Sequence, residues 1–454
     1  MPYASLNPTS GRLIQTHDSL DDRHLNLALE NARSSQQSWG QASIGARAEV
    51  LHKAALNLLA RQETLARIIT REMGKPLREA RAEIEKCAGV CDYYAQHAED
   101  FLRSEPVVSD AGKSYIAYLP LGVVLAIMPW NFPFWQVFRA VAPVLMSGNA
   151  LLLKHAPNVP ECALAIGDIF RASGLPEGIF TNLMIEVEQT AAVIASPAVH
   201  AVTLTGSEAA GRKVAACAGQ HLKKCVLELG GSDPFIVLHD ADMEHTVNMA
   251  IASRFLNCGQ SCIAAKRFIV VPQIADEFLA RFRSKVEALK TGDPMEDTTQ
   301  IGPMARADLR EELDRQVCDS ISQGAVAVTG CKPIAGPGFF YQPSILDHVT
   351  CHTRAFNEEL FGPVAAIIRA SSEEHALLVA NESRFGLGAS IWSADTRRAE
   401  SLAVQMQAGC TFINGMVKSD ARLPFGGVKA SGYGRELSKQ GMHEFVNVKT
   451  VWIK

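Results

Sequence analysis

Apolar positions recur at spacings of three and four through the first hundred residues. Val50, Leu51, Ala54, Ala55, Leu58 and Leu59 mark one helix face, and the helical pattern runs from about Leu25 to Phe101. Met73-Gly74-Lys75-Pro76 breaks one helix from the next. Ahead of this block, residues 1–20 carry the turn pairs Asn7-Pro8 and Ser10-Gly11 and read as irregular chain or a short hairpin. Beyond it the period shortens. Residues 115–118 form a short candidate strand, and 122–128 a strand that is apolar on both faces, the mark of a buried parallel sheet.

From there to Val237 strands and helices alternate. The pattern predicts strands at 150–154 and 201–205 and helices over 160–171 and 208–218, the first helix closed by Ser173-Gly174. Alternation of this kind predicts a parallel sheet covered by helices. A second αβ stretch runs from Ala241 to Ala370, with candidate strands at 268–271, 326–328 and 364–368. The last forty residues are rich in glycine and end in a strand-like segment, 445–452. No repeat or low-complexity run interrupts the pattern, so domain boundaries must fall in short loops.

At 454 residues the chain has room for about three domains. Hydrophobic residues make up 47% and charged residues 20%, the balance of a globular protein with a sizeable core. The net charge of -4 excludes a strongly basic nucleic-acid or anionic-membrane surface. Eleven cysteines, an odd number, form no CxxC pair and no zinc-type spacing with histidine. The N-terminal residues lack the pattern of a signal peptide, and the apolar run LGVVLAIM (121–128) is too short to span a bilayer. A reducing cytoplasm is the expected setting.

Four places carry candidate chemistry. Cys262 ends the run Asn257-Cys258-Gly259-Gln260-Ser261-Cys262, whose small and polar residues permit a tight turn, and a thiolate is a strong nucleophile. Glu228, between leucines and just before Gly230-Gly231, is a candidate general base with a raised pKa. Asn131 stands between two prolines in Pro129-Trp130-Asn131-Phe132-Pro133, where its amide can be aimed at an oxyanion. Thr205-Gly206-Ser207 joins a strand to a helix, a turn that lets a helix N-terminus approach a pyrophosphate. Each also has a plainer reading when taken alone: a buried small hydrophobe, a salt-bridged strand end, an Asx turn and an ordinary glycine turn.

Together and in this order, these strings resemble the aldehyde dehydrogenase superfamily. The matching segments are PWNFP (129–133), LLLKHAP (151–157), TGS (205–207), LELGGSDP (227–234), GQSC (259–262), EELFGPV (358–364) and PFGGVKASGYGRE (424–436), with Glu228 and Cys262 34 positions apart. Within the superfamily, KHAPN is similar to the lysine motif of bacterial succinate-semialdehyde dehydrogenases. The resemblance implies that Cys262 attacks the aldehyde, that Glu228 activates water, and that the Asn131 amide and the Cys262 backbone N–H stabilise the alkoxide. It implies a cofactor groove built from Lys154, Gly206, Ser207, Trp130, Ile127, Glu359 and Phe361. It places carboxylate-binding arginines at Arg139 and, less directly, at Arg422, with Leu256 where some relatives carry a second arginine. No metal has a part in this chemistry.

The implied fold is α/β. A Rossmann-type NAD(P)-binding domain would comprise 1–101 and 120–229, and a catalytic α/β domain 230–442. A β-strand arm of 102–119 and 443–454 would join subunits into a homodimer or homotetramer. Where the family's usual lysine motif has a carboxylate, this chain has Pro157, so nothing there repels a 2′-phosphate. Both NAD and NADP are therefore expected to serve, with a modest lean to NAD. The expected substrate is a small aldehyde, succinate semialdehyde first. The alternatives are another short or medium aldehyde such as glutarate semialdehyde, a cysteine hydrolase without a redox step, and a catalytically silent structural relative.

Overall fold

A computed structural model describes residues 3–454. The chain opens with a hairpin, Tyr3–Asn7 against Arg12–His17, and the remainder of the segment read as irregular or hairpin, residues 1–2, lies outside the described residues. Four helices follow: Asp22–Gln41, Ile44–Ala60, Gln62–Met73 and Leu77–Leu102. The expected break is a C-cap, with Gly74 at φ 78 ending one helix and Pro76 preceding the next. A Cβ on Gly74 would press into Pro303, so the position needs glycine for space as well as for its backbone.

Six strands form the first sheet, in the order Gly432–Tyr433, Lys224–Glu228, Ala201–Thr205, Val123–Met128, Ala150–His155 and Phe180–Asn182. Every pair is parallel except the first, which is antiparallel. The first of this sheet's strands in chain order, Val123–Met128, lies at the centre, and later strands are added on one side and then on the other. That reversal opens a crevice at the carboxyl ends of Val123–Met128 and Ala201–Thr205, the place where open α/β sheets bind ligands. Ile127 pairs with Lys154 and Leu204 there, and Thr205 with Glu228. One register therefore brings four predicted segments to the same edge.

Between the first two strands runs the helix Trp135–Met146, all twelve of whose residues are buried. A helix buried on every side, with Gln136 and Arg139 as its only polar side chains, has no solvent-facing polar stripe to mark its bounds. Phe134 stacks on Phe138, and Phe138 on Phe170, fixing this helix to the sheet core.

The second sheet has seven strands, in the order Val326–Thr329, Ser344–Asp347, Val364–Arg369, Ala265–Val270, Asp233–Val237, Gly388–Trp392 and Cys410–Ile413. Only the Val326–Thr329 pairing is antiparallel. Its own core is built on Phe235, Phe268, Phe278, Phe282 and Trp392. A three-stranded antiparallel sheet, Val446–Ile453, Lys113–Pro120 and Glu105–Pro106, stands apart from both. No helix among the described residues is long and apolar enough to cross a membrane.

Candidate active site

The segment leading to Cys262 is an unusual piece of backbone. Asn257, Cys258 and Gly259 adopt φ of 54, 55 and 70 in succession, a left-handed run that costs energy at the two non-glycine residues. The surroundings hold it there. Glu79 accepts the Asn257 N–H at 2.7 Å, and the Asn257 amide donates to the Asn131 carbonyl at 2.7 Å. Gln260 receives the Ala305 N–H at 2.9 Å. Arg254, fully buried, donates to the carbonyls of Gly259, Leu360, Gly362 and Ala265 and so ties this loop to the segment that carries Glu359.

Cys262 stands where two cavities meet. One, of about 260 Å³, is lined by Trp130, Asn131, Gly206, Ser207, Glu359 and Phe361 among others. The other, of about 470 Å³, runs between Phe132, Trp135, Arg139 and the loop from Met416 to Ser419. Asn131 donates its amide to the Gln260 carbonyl at 3.1 Å, which holds it over the same loop as the thiol. Lys266, with no exposed side-chain surface, donates to the carbonyls of Ser261 and Cys262 at 2.7 and 2.6 Å and pairs with Glu359 at 3.0 Å. Burial pushes the Cys262 thiol up to about 12; Lys266 and then Arg139 pull it down, while Glu359 and Glu228 push it further up.

Glu228 ends its strand 2% exposed, and among the described residues neither carboxylate oxygen has a hydrogen-bond partner. The salt-bridged strand end that the residue also allowed is not what the structure holds. Burial raises its pKa well above the ordinary carboxylate value, and the neighbouring Glu436 raises it further against the pull of Arg139 and Arg435. A carboxyl group that holds its proton above the usual range suits exchange with water near neutral pH.

The smaller cavity gathers groups suited to the nicotinamide and phosphate end of a dinucleotide. Ser207 caps the thirteen-residue helix Glu208–Gln220, accepting the Ala210 N–H at 3.3 Å, so free backbone N–H groups of a helix terminus face the crevice. A side chain on Gly230 would collide with the Glu359 carboxylate, so glycine there leaves Glu359 room to reach inward. Trp130 and Phe361 meet edge to face at 5.9 Å and form an aromatic wall. Lys154 and Ile127 are not in this wall. They sit at the neighbouring strand ends, where the Lys154 ammonium makes one long bond, 3.3 Å, to the His155 carbonyl. Of the predicted cofactor residues, five share the cavity and two extend the crevice beyond it.

Of the two predicted substrate residues, the structure places one in the larger cavity and one outside it. Arg422 does not line the larger cavity. Its side chain is 75% exposed and clamps Asp420 through bonds of 2.6 and 2.8 Å, because a two-residue reach within its own loop outcompetes a distant partner. Arg139 does line the cavity, but it is not a free fork. Its Nε pairs with buried Glu436, Nη2 donates to Thr205 Oγ1 at 3.3 Å, and the guanidinium lies 4.8 Å from the Phe425 ring centre. Reading the sequence alone missed Glu436, Lys266 and Lys86. Lys266 had a signal, since with Arg267 it interrupts the apolar run from Ile263 to Val271; Lys86 had none, since a lysine on a long helix reads as solvated surface.

Comparison with known proteins identifies the family. Residues 1–451 match the aldehyde dehydrogenase family. The chain is 48% identical over 448 residues to succinate semialdehyde dehydrogenase (NAD(P)+) Sad of Escherichia coli K12, covering 99% of this chain and 97% of that one. It is 48% identical over 453 residues to a probable NADP(+) succinate-semialdehyde dehydrogenase of Synechocystis, with both chains covered in full. The crystal structure of succinic semialdehyde dehydrogenase from Streptococcus pyogenes with NADP+ superposes with a TM-score of 0.98 at 38% identity over 99% of each chain. These names give the expected lean to NAD no support.

Proposed function

The chain belongs to the aldehyde dehydrogenase family, and on that premise we propose that it oxidises succinate semialdehyde to succinate with either NAD or NADP. The observation that carries the substrate is the charge in the larger cavity. Its wall holds four cations, Arg78, Lys86, Arg139 and Lys418, of which Arg139 is paired with Glu436, against two carboxylates, Glu79 and Glu83. Both carboxylates are spent: Glu83 pairs with Lys75 and accepts the N–H groups of Phe134 and Trp135, and Glu79 holds Asn257. A cavity of excess positive charge, ending at a thiol, suits a short aldehyde with a carboxylate at its far end.

In this reading the Cys262 thiolate adds to the carbonyl carbon, and the oxygen becomes an alkoxide facing the Asn131 amide and the Cys262 N–H. When bound, the cofactor supplies the acceptor for the hydride that the hemithioacetal expels. A thioester on Cys262 remains. Glu228 then takes a proton from water, the water oxygen adds to the thioester, and collapse releases the acid and returns the thiol. Asn131 is worth about 3–4 kcal/mol to the charged states if it acts as oxyanion donors elsewhere do. Ser207 would hold the pyrophosphate, Glu359 the nicotinamide ribose and Lys154 the adenosine ribose. Arg139 adds its field from the cavity wall while it holds Glu436 beside the base.

The three-stranded sheet supports association of copies into a homodimer or homotetramer. Val446–Ile453 is an open edge strand with Val448, Trp452 and Ile453 exposed. For the substrate, the test is steady-state kinetics on succinate semialdehyde beside butanal, an uncharged aldehyde of the same length. A charge-assisted hydrogen bond contributes about 1.5–3 kcal/mol, so kcat/KM should favour succinate semialdehyde by roughly 10- to 100-fold. Equal or better use of butanal would overturn the substrate reading.

A further inference from the structure

Lys86 projects from the helix Leu77–Leu102 into the larger cavity, opposite the loop that carries Ser419. Its ammonium lies 4.1 Å from the centre of the Trp135 ring and donates to Ser419 Oγ at 2.7 Å. Ser419 is 6% exposed, so its position is fixed by packing. Lys86 is exposed as a residue, while its ammonium end packs on Trp135 and Ser419 at the cavity wall. Burial first, and then the positive charge of Arg139, push its ammonium down to about 8, against the weaker opposing pull of Cys87, Glu83 and Asp420.

The surrounding acids leave this charge unmatched. Among the described residues, no carboxylate comes within ion-pair distance of Lys86. Glu83, one turn away, is bound to Lys75 and to two backbone N–H groups, and Asp420, next to Ser419, is clamped by Arg422. Arg78 and Lys418, the other cations in this part of the wall, are exposed, as Lys86 is, so all three can meet an anion that enters the cavity. An ammonium held between an indole face and a serine, with its neighbouring anions all engaged, is stabilised by an anion that arrives from outside. Ser419 adds to this. A hydroxyl that accepts from Lys86 keeps its own O–H to donate elsewhere, so the pair presents two donors side by side.

We propose that Lys86, held in place by Ser419, binds the far carboxylate of the substrate and is the residue that selects ω-carboxylated aldehydes over neutral ones. This rests on the reading of the larger cavity as the aldehyde site. It gives Lys86 the role that the sequence suggested for Arg422, and leaves Arg139 to Glu436. The Trp135 ring beside the ammonium then backs the methylene chain between carboxylate and aldehyde.

The test is steady-state kinetics on full-length Lys86→Gln and Lys86→Arg, with succinate semialdehyde and butanal as substrates. Lys86→Gln should raise KM for succinate semialdehyde roughly 10- to 100-fold with kcat nearly unchanged, and leave KM for butanal where it was. Lys86→Arg, which keeps the charge, should recover most of the loss. A rise in KM for both aldehydes alike, or a KM for succinate semialdehyde unmoved by Lys86→Gln, overturns the role. A wild-type enzyme without preference for the carboxylated aldehyde overturns both readings; a preference that survives Lys86→Gln overturns this one alone.

Discussion

Lys266 Nζ donates to the backbone carbonyl of Cys262 at 2.6 Å and to that of Ser261 at 2.7 Å, while pairing with Glu359 at 3.0 Å. One buried cation therefore fixes the nucleophile's backbone, favours its thiolate and reaches the carboxylate proposed to meet the nicotinamide ribose.

That arrangement predicts more than a structural loss on substitution. A nearby positive charge commonly lowers a thiol pKa by about 1–3 units, so Lys266→Met should slow alkylation of Cys262 by iodoacetamide at neutral pH about tenfold or more. Its kcat profile should move to higher pH. If the variant melts earlier but the folded enzyme is alkylated at the parent rate, Lys266 is a prop and no more.

Glu228→Gln should stop turnover after one thioester and leave a burst of reduced cofactor. It should also change stability with a definite sign. Burial and Glu436 raise the folded pKa of Glu228 above 4.5. A group raised in this way contributes fully below its unfolded value and loses that contribution as pH rises through the folded one. Glutamine removes the loss, so the Tm difference should move in favour of the variant from about pH 5 upward. A difference constant with pH would show that Glu228 is not held protonated.

Removal of the Asn131 amide should lower kcat by roughly 100- to 1,000-fold. The Kd for NADP, read by fluorescence titration, should change little. A loss confined to cofactor binding would place Asn131 in the groove and not at the alkoxide.

Arg139 and Glu436 are both almost wholly buried, at 2% and 3% exposure. Breaking such a pair commonly costs about 3–5 kcal/mol, because the remaining charge is stranded. Arg139→Met should therefore destabilise the fold and impair both aldehydes, and Glu436→Gln in the same chain should restore part of the stability. Selective damage to succinate semialdehyde, with Tm unchanged, would return Arg139 to the role of a carboxylate fork.

With Pro157 where a carboxylate would exclude a 2′-phosphate, neither cofactor meets a local penalty. The kcat/KM ratio between NAD and NADP should stay below about a thousandfold, roughly 4 kcal/mol. A larger ratio would require a discriminating contact elsewhere in the crevice.

Much of the site was legible because its chemistry sits in short loops with rare residue combinations. Pro129 and Pro133 announce the turn that aims Asn131, and the glycines after Glu228 announce a sheet edge where Glu359 can approach. The first sheet was legible through its alternation of strands and helices. Much of the second was not: Asp233–Val237, Ser344–Asp347, Gly388–Trp392 and Cys410–Ile413 are four or five residues long and are held by pairing with distant segments. The bounds of the helix Trp135–Met146 were hidden for a different reason, since all its faces are buried and its two polar residues, Gln136 and Arg139, mark no solvent side. Lys86 gains its meaning only when the loop around Ser419 closes the cavity over it. Arg422 was placed there by sequence proximity to Phe425, and the chain turns it outward.

All of these steps require a covalent bond between the Cys262 sulfur and the aldehyde carbon. The direct measurement is the rate of reduced-cofactor formation when Cys262→Ala is mixed with succinate semialdehyde and NADP, with native folding checked by its melting curve. The predicted result is a folded protein that binds NADP and produces no reduced cofactor above background. Turnover at the parent rate would contradict the account.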